Sequence, residues 1–138
     1  MKSRETLIRL KKFQVDERRR KVAQIESMIA EFDRIAGDLD REIKHEQERA
    51  GIHDPGHFAY PTYAKAAMTR KENLKRSADE LKGQLDDAKA TLGEAFEELK
   101  KVEVLDERDQ AREKANQDAR EQTELDRIAA MRFGGARA

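Results

Sequence analysis

Cysteine and tryptophan are absent from this chain of 138 residues, and proline occurs only twice. Without cysteine, neither a disulfide framework nor a thiolate zinc site can form. The longest apolar run, Ile128–Met131, has four residues, whereas a helix that spans a bilayer needs roughly 20. The N-terminus is basic, but no apolar segment follows it, so we expect no secretory signal. These absences predict a soluble cytoplasmic protein.

Apolar and aromatic residues are also scarce. Hydrophobic residues make up 37% of the chain, aromatic residues 5% and charged residues 42%. Neither sign of charge is in excess, because 29 basic residues balance 29 acidic ones. Ordinary globular domains are nearer half apolar and a quarter charged. The composition therefore excludes a compact globular core and leaves either a disordered chain or a long exposed helix.

The spacing of the apolar residues decides between these two classes. A first series with alternating steps of three and four residues consists of Val22, Ile25, Ile29, Phe32, Ala36, Leu39 and Ile43. A second consists of Leu74, Ala78, Leu81, Leu85, Ala88, Leu92, Ala95, Leu99 and Val102. A disordered chain has no reason to keep such a register, which is that of a coiled-coil seam. The mean repeat of 3.5 residues predicts a left-handed supercoil.

One cluster of helix breakers separates the two series. Both prolines and two of the seven glycines lie within residues 51–61, and Gly51 suits the position after a helix C-terminus. We therefore predict a single coiled-coil domain over 1–138. Its parts are a helix over about 3–50, a connecting tip over 51–61, a helix over about 62–131 and a frayed tail over 132–138.

The charge pattern predicts that the two helices are antiparallel. A short connection already favours antiparallel neighbours. Residues 1–21 carry nine basic and three acidic groups, whereas residues 77–109 carry five and eleven. Residues 22–61 are net acidic and residues 62–76 net basic. When the chain folds back about the tip, opposite charges meet at both ends of the hairpin.

The second helix is expected to be longer than the first, so its C-terminal part lacks a facing helix. The first helix runs out opposite about residue 110, and Asp106 and Asp109 interrupt the seam nearby. Three larger apolar residues return near the end of the chain: Leu125, Ile128 and Met131. They have no partner within the predicted hairpin and are candidates for binding another protein.

No catalytic constellation and no glycine-rich phosphate loop is present in the sequence, so we predict a protein that is not an enzyme and needs no cofactor. The nearest approach to a metal site is His53, Asp54 and His57. Two imidazoles and a carboxylate could hold zinc, but the same residues are ordinary in a polar turn with a helix cap. We favour the turn and expect no metal.

Three aromatic residues fall close together at the tip: Phe58, Tyr60 and Tyr63. They could close the end of the hairpin by packing on Ile52 and Ala66. They could also form a partner-binding tip, because an isolated hairpin end has little core in which to bury three rings.

The first helix carries a dense set of basic residues. Its candidate partner-binding members are Arg9, Lys11, Lys12, Arg18, Arg19, Arg20 and Lys21. A solvated face that pairs with the second helix, an acidic protein partner and nucleic acid are three interpretations of this basic block. Nucleic acid is disfavoured, because only Phe13 interleaves with the cations and acidic residues lie across the hairpin.

Four stretches of the chain resemble the flagellar export protein family FliJ in its alphaproteobacterial form. They are residues 1–20, 51–65, 73–81 and 93–103. The tip is the most telling of these, since no heptad rule demands its sequence.

The resemblance implies a nonenzymatic antiparallel coiled coil similar to the rotor stalk of rotary ATPases. FliJ-like proteins belong to the flagellar type III export apparatus, in the cytoplasm and peripherally at the inner membrane near the export gate. Their partners are the hexameric export ATPase, the membrane gate protein and export chaperones. By analogy, the end with the termini enters the ATPase ring, where the basic residues and the single-helix overhang meet it. A generic coiled-coil adaptor or nucleic-acid-associated protein is the alternative function.

Overall fold

The computed structural model describes residues 2–135, which form two α-helices. Helix α1 spans Lys2–Ala50 and helix α2 spans Thr62–Gly135, and residues 51–61 connect them. No strand occurs among the described residues. The prediction of an all-α helical hairpin with a longer second helix is confirmed.

The two helix ends at the connection have identifiable causes. Gly51 has a φ of 69°, the left-handed conformation that favours glycine after a helix, and its N–H donates to the carbonyl of Glu48 at 3.3 Å. At the start of α2, the carbonyl of Pro61 accepts a hydrogen bond of 3.1 Å from the N–H of Lys65. Proline interrupts a helix but suits its beginning, because the first N–H groups have no intrahelical acceptor.

The C-terminus of α2 differs from the sequence-based expectation. A frayed tail was expected from residue 132, but the helix continues to Gly135, and the remainder of that tail, 136–138, lies outside the described residues. Ala129, Ala130 and Met131 have high helix propensity. Arg132 lies in the last turn, where a cation interacts favourably with the helix dipole.

Residue contacts divide the chain into two units. The hairpin unit comprises residues 13–95, and the terminal unit comprises the described residues of 1–12 and 96–138. The assignment of a single domain therefore stays a prediction.

The core of the hairpin unit follows the predicted seam. Every member of the first apolar series is buried except Phe32, which is half-buried, and Val15 extends the buried set toward the N-terminus. From α2, Ala78 and Leu81 are buried. Two clusters make up much of this core. One holds Leu39, Ile43, Tyr60, Ala64 and Ala67, and the other Ile25, Ile29 and Leu81.

The terminal unit has a different interior. None of its residues whose side chains are described is buried. The seam positions Ile8, Leu99 and Val102 are half-buried, and Arg4 and Lys11 occupy the neighbouring seam positions of α1. Contacts between α1 and α2 in this unit are consequently part polar.

Candidate partner-binding surfaces

The basic block divides between the two units. Arg18, Arg19, Arg20 and Lys21 belong to the hairpin unit, where all four side chains are exposed. Arg18 and Lys21 border a shallow groove whose other wall includes Asp87 and Thr91 of α2. Clustered exposed cations create a positive potential that attracts an anionic partner.

The other three basic candidates lie in the terminal unit, and one of them is engaged. Arg9 and Lys12 are exposed. The Nζ atom of Lys11 donates to Oε2 of Glu98 at 2.8 Å. This hydrogen bond and the charge of Lys11 lower the pKa of the Glu98 carboxyl group. Lys11 thus joins α1 to α2, which agrees with the interpretation of the basic residues as a face paired with the second helix.

A second ion pair in the terminal unit escaped the sequence analysis. Arg4 pairs with Asp109, and its Nη1 also donates to the carbonyl of Leu105 at 3.1 Å. The sequence shows that Asp109 interrupts the apolar seam, but it does not identify the partner of Asp109. The seam register could have indicated this pair. Its spacing of three and four residues leads from Lys11 back to Ile8 and then to Arg4, so Arg4 occupies a seam position.

The three aromatic residues of the tip have three different environments. Tyr60 is buried in the core cluster with Leu39 and Ile43. Tyr63 is 55% exposed, and its hydroxyl donates to Oε2 of Glu42 at 2.7 Å. This interaction raises the pKa of the Tyr63 hydroxyl, because a neighbouring carboxylate disfavours the phenolate. Phe58 is 97% exposed.

Tyr60, one of the partner-binding candidates, is buried in the core of the hairpin unit. Its ring closes the end of the hairpin beside half-buried Ile52, as one alternative expected. Ala66, expected at this contact, is exposed, and Ala64 and Ala67 are the buried alanines of the cluster. A helix turn brings i and i+3 to one face, so Ala64 and Ala67 share the face that meets α1.

Hydrogen bonds define the loop that presents Phe58. Oδ1 of Asp54 accepts from the N–H of Gly56 at 2.9 Å, and the N–H of His57 donates to the carbonyl of Asp54 at 3.0 Å. Nδ1 of His57 accepts from the N–H of Ala59 at 3.0 Å, and the rings of His57 and Phe58 stack with centroids 4.7 Å apart. Asp54 and His57 thus act within a polar turn. Among the described residues, no group of three or more metal-ligating side chains is placed to hold an ion.

The C-terminal part of α2 exposes its apolar residues. Every residue from 110 to 134 is exposed. The exposed fractions of Leu125, Ile128 and Met131 are 59%, 46% and 66%, and Phe133, which the sequence analysis did not select, is 76% exposed. These side chains lie on a single helix with no cover from the described chain. Along residues 2–135, no helix is long and apolar enough to cross a membrane.

The fold defines a class of protein: an all-α coiled-coil hairpin of two helices, of which the second is the longer. Compared with known protein families, residues 1–138 match the family described as flagellar FliJ protein. Because the match covers the whole chain, the chain belongs to the FliJ family. Its members are nonenzymatic components related to flagellar protein export. Among curated proteins and solved structures, none matches the chain.

Proposed function

We propose that this protein is a stalk or assembly component of the flagellar type III export apparatus. It has no catalytic activity of its own and associates with the hexameric export ATPase, the membrane gate protein and export chaperones. It works in the cytoplasm, peripherally at the inner membrane near the gate, and reaches the membrane through these partners. Membership of the FliJ family supports the export-related role.

The observation that carries this proposal is the uncovered helix at the C-terminal end of α2. An isolated helix in water is only marginally stable, and an apolar stripe on it gains stability when a partner buries it. Leu125, Ile128 and Met131 form such a stripe at helical spacing. A ring that surrounds this end of the chain supplies the missing cover, as the analogy with a rotor stalk suggests.

The exposed cations of the hairpin unit support a second contact with the same partner. Arg18–Lys21 present four positive charges on one turn of α1, and an acidic protein surface would be attracted to them. We assign this contact to the ATPase rather than to nucleic acid, since a flagellar export protein has protein partners.

The first test measures ATP hydrolysis by the purified hexameric export ATPase with and without this protein. We expect that the protein alone hydrolyses no ATP and that, when it is mixed with the ATPase, it changes the rate of ATP hydrolysis. Reversing the four charges of Arg18–Lys21 to Glu weakens that change. The matched control reverses four other exposed cations, Lys65, Arg70, Lys75 and Arg76, because it alters the net charge equally at another place.

Two outcomes would contradict the assignment. If the two charge-reversed proteins alter ATPase activity equally, the basic block does not take part in the contact. If the unmodified protein leaves the ATPase unaffected and binds duplex DNA at physiological salt, the nucleic-acid-associated alternative is preferred.

The second test follows amide hydrogen exchange in residues 112–131. In the free protein these amides should exchange much faster than those of residues 76–95, because the lone helix opens readily. Addition of the export ATPase should slow exchange in 112–131. Equal protection of both segments in the free protein would show that the extension is already packed against something.

A further inference from the structure

The buried side chains of this protein end abruptly along α1. Among the residues whose side chains are described, every buried one belongs to the hairpin unit, and Val15 is the one nearest the N-terminus. In residues 2–12 the seam position Ile8 is only half-buried, as are Leu99 and Val102 on the facing part of α2. Apolar packing, which is the main source of adhesion between helices, is therefore weak between these two segments.

Two ion pairs hold these segments of α1 and α2 together where apolar packing is weak. Lys11 and Glu98 approach to 2.8 Å with side chains 22% and 54% exposed. Arg4 pairs with Asp109, and these side chains are 27% and 42% exposed. Pairs with this much access to water are weakened by dissolved salt, because the Debye length falls from about 10 Å at 0.1 M to about 3 Å at 1 M.

We propose that residues 2–12 form a separable arm. The arm detaches from residues 96–109 while the hairpin unit stays folded, and its release uncovers Leu99 and Val102 of α2. Release is controlled electrostatically, so an acidic partner surface that competes for Arg4 and Lys11 opens the arm and gains an apolar face of α2. This inference does not depend on the proposed function, since it concerns contacts within the free protein.

The chain has no cysteine, so a single introduced thiol reports the opening without background. In a Val102→Cys variant, the alkylation rate by uncharged iodoacetamide should rise severalfold between about 0.1 M and about 1 M NaCl, as the ion pairs are screened. The comparison variant is Ala78→Cys, whose site is 2% exposed within the hairpin unit. Its alkylation rate should not rise with salt.

Charge variants then identify the contact. In the Val102→Cys background, Lys11→Glu should accelerate alkylation even at low salt, because it places two carboxylates together. The matched control is Lys12→Glu, an equal change of charge at an exposed position next to it, which should have little effect. The exchanged pair, Lys11→Glu with Glu98→Lys, should return the rate to that of the parent. Helix content by circular dichroism verifies that each variant is folded.

Four results would contradict the proposal of a separable arm. Salt-independent alkylation of Val102→Cys would mean that the ion pairs do not hold it. Equal effects of Lys11→Glu and Lys12→Glu, or no recovery in the exchanged pair, would remove the Lys11–Glu98 contact as the cause. Acceleration of Ala78→Cys alongside Val102→Cys would show that the whole hairpin opens as one. Simple fraying of a helix end is distinguished because it would not be reversed by exchanging the charges.

Discussion

The side-chain amide of Gln47 donates a hydrogen bond of 2.8 Å to the hydroxyl of Tyr60, which in turn donates to Sδ of Met68 at 3.5 Å. Three parts of the chain meet at this hydroxyl: the end of α1, the connection and the first turns of α2. The Tyr60 ring is buried among apolar side chains, whereas its polar atom is satisfied, as a buried tyrosine requires. Tyr60 therefore stabilises the closed end of the hairpin through its buried ring and its hydrogen-bonded hydroxyl.

Substitutions of Tyr60 test this role. Tyr60→Phe should reduce the free energy of unfolding by about 1 kcal/mol, since the hydrogen bond to Gln47 is lost. Tyr60→Ala should cost about 3–5 kcal/mol through the cavity. Phe58→Ala is the control and should stay within about 0.5 kcal/mol, because that ring is 97% exposed. Urea unfolding followed by circular dichroism measures all three. Equal losses for Phe58→Ala and Tyr60→Ala would contradict the assignment of Tyr60 to the core.

The seam of the hairpin unit predicts a second contrast. Leu81→Ala should lower the free energy of unfolding by about 2–5 kcal/mol, because Leu81 is buried against Ile25 and Ile29. His45→Ala should change it by less than about 0.5 kcal/mol, since His45 is exposed and off the seam. The reverse order in thermal unfolding experiments would show that the heptad register is wrong.

Two glycines should respond in opposite directions to the same substitution. Gly51→Ala should destabilise the protein by about 1–2 kcal/mol, because a φ of 69° brings Cβ too close to the backbone. Gly83→Ala should stabilise it by up to about 1 kcal/mol, since Gly83 lies within α2 and an added Cβ meets nothing within 4 Å. Thermal unfolding measures both changes. A stabilising Gly51→Ala would mean that α1 does not need the left-handed residue at its end.

The ion pair between Lys71 and Asp40 predicts how stability depends on pH. The Nζ atom of Lys71 lies 2.8 Å from Oδ1 of Asp40, and this hydrogen bond lowers the pKa of the Asp40 carboxyl group. Because the pKa is lower in the folded than in the unfolded protein, the contribution to stability is present above the unfolded value of about 3.9. It is lost as the pH falls through the folded pKa.

Thermal unfolding from about pH 7 to pH 3 measures this effect across the range where carboxyl groups titrate. The melting temperature should fall in the acidic part of this range, and Asp40→Asn should make the fall smaller. Asp33→Asn changes an exposed carboxyl group of the same helix and serves as the control. If both variants show the same pH dependence as the parent, the Lys71–Asp40 pair contributes nothing measurable.

The environments of the three aromatic candidates could not be predicted from the sequence. Phe58, Tyr60 and Tyr63 look alike in the sequence, yet one is exposed, one is buried and one bonds Glu42. Phe58 and Tyr60 lie within residues 51–61, where no periodic rule applies, because hydrogen bonds such as those of Asp54 and His57 shape the connection. The roles in partner binding of the basic block, of Phe58, Tyr60 and Tyr63, and of the C-terminal apolar stripe all stay predictions.

The sequence by itself determined the two helices, their antiparallel order and the residues between them. Heptad spacing is a local property, and a position such as Ile29 or Leu81 faces the partner helix wherever the register holds. Tertiary structure alone decided which polar residues pair, as Arg4 does with Asp109, and which ring fills the end of the hairpin. These contacts depend on the distance in space between segments that are far apart in the chain. The heptad spacing of apolar residues is a local pattern and does not give that distance.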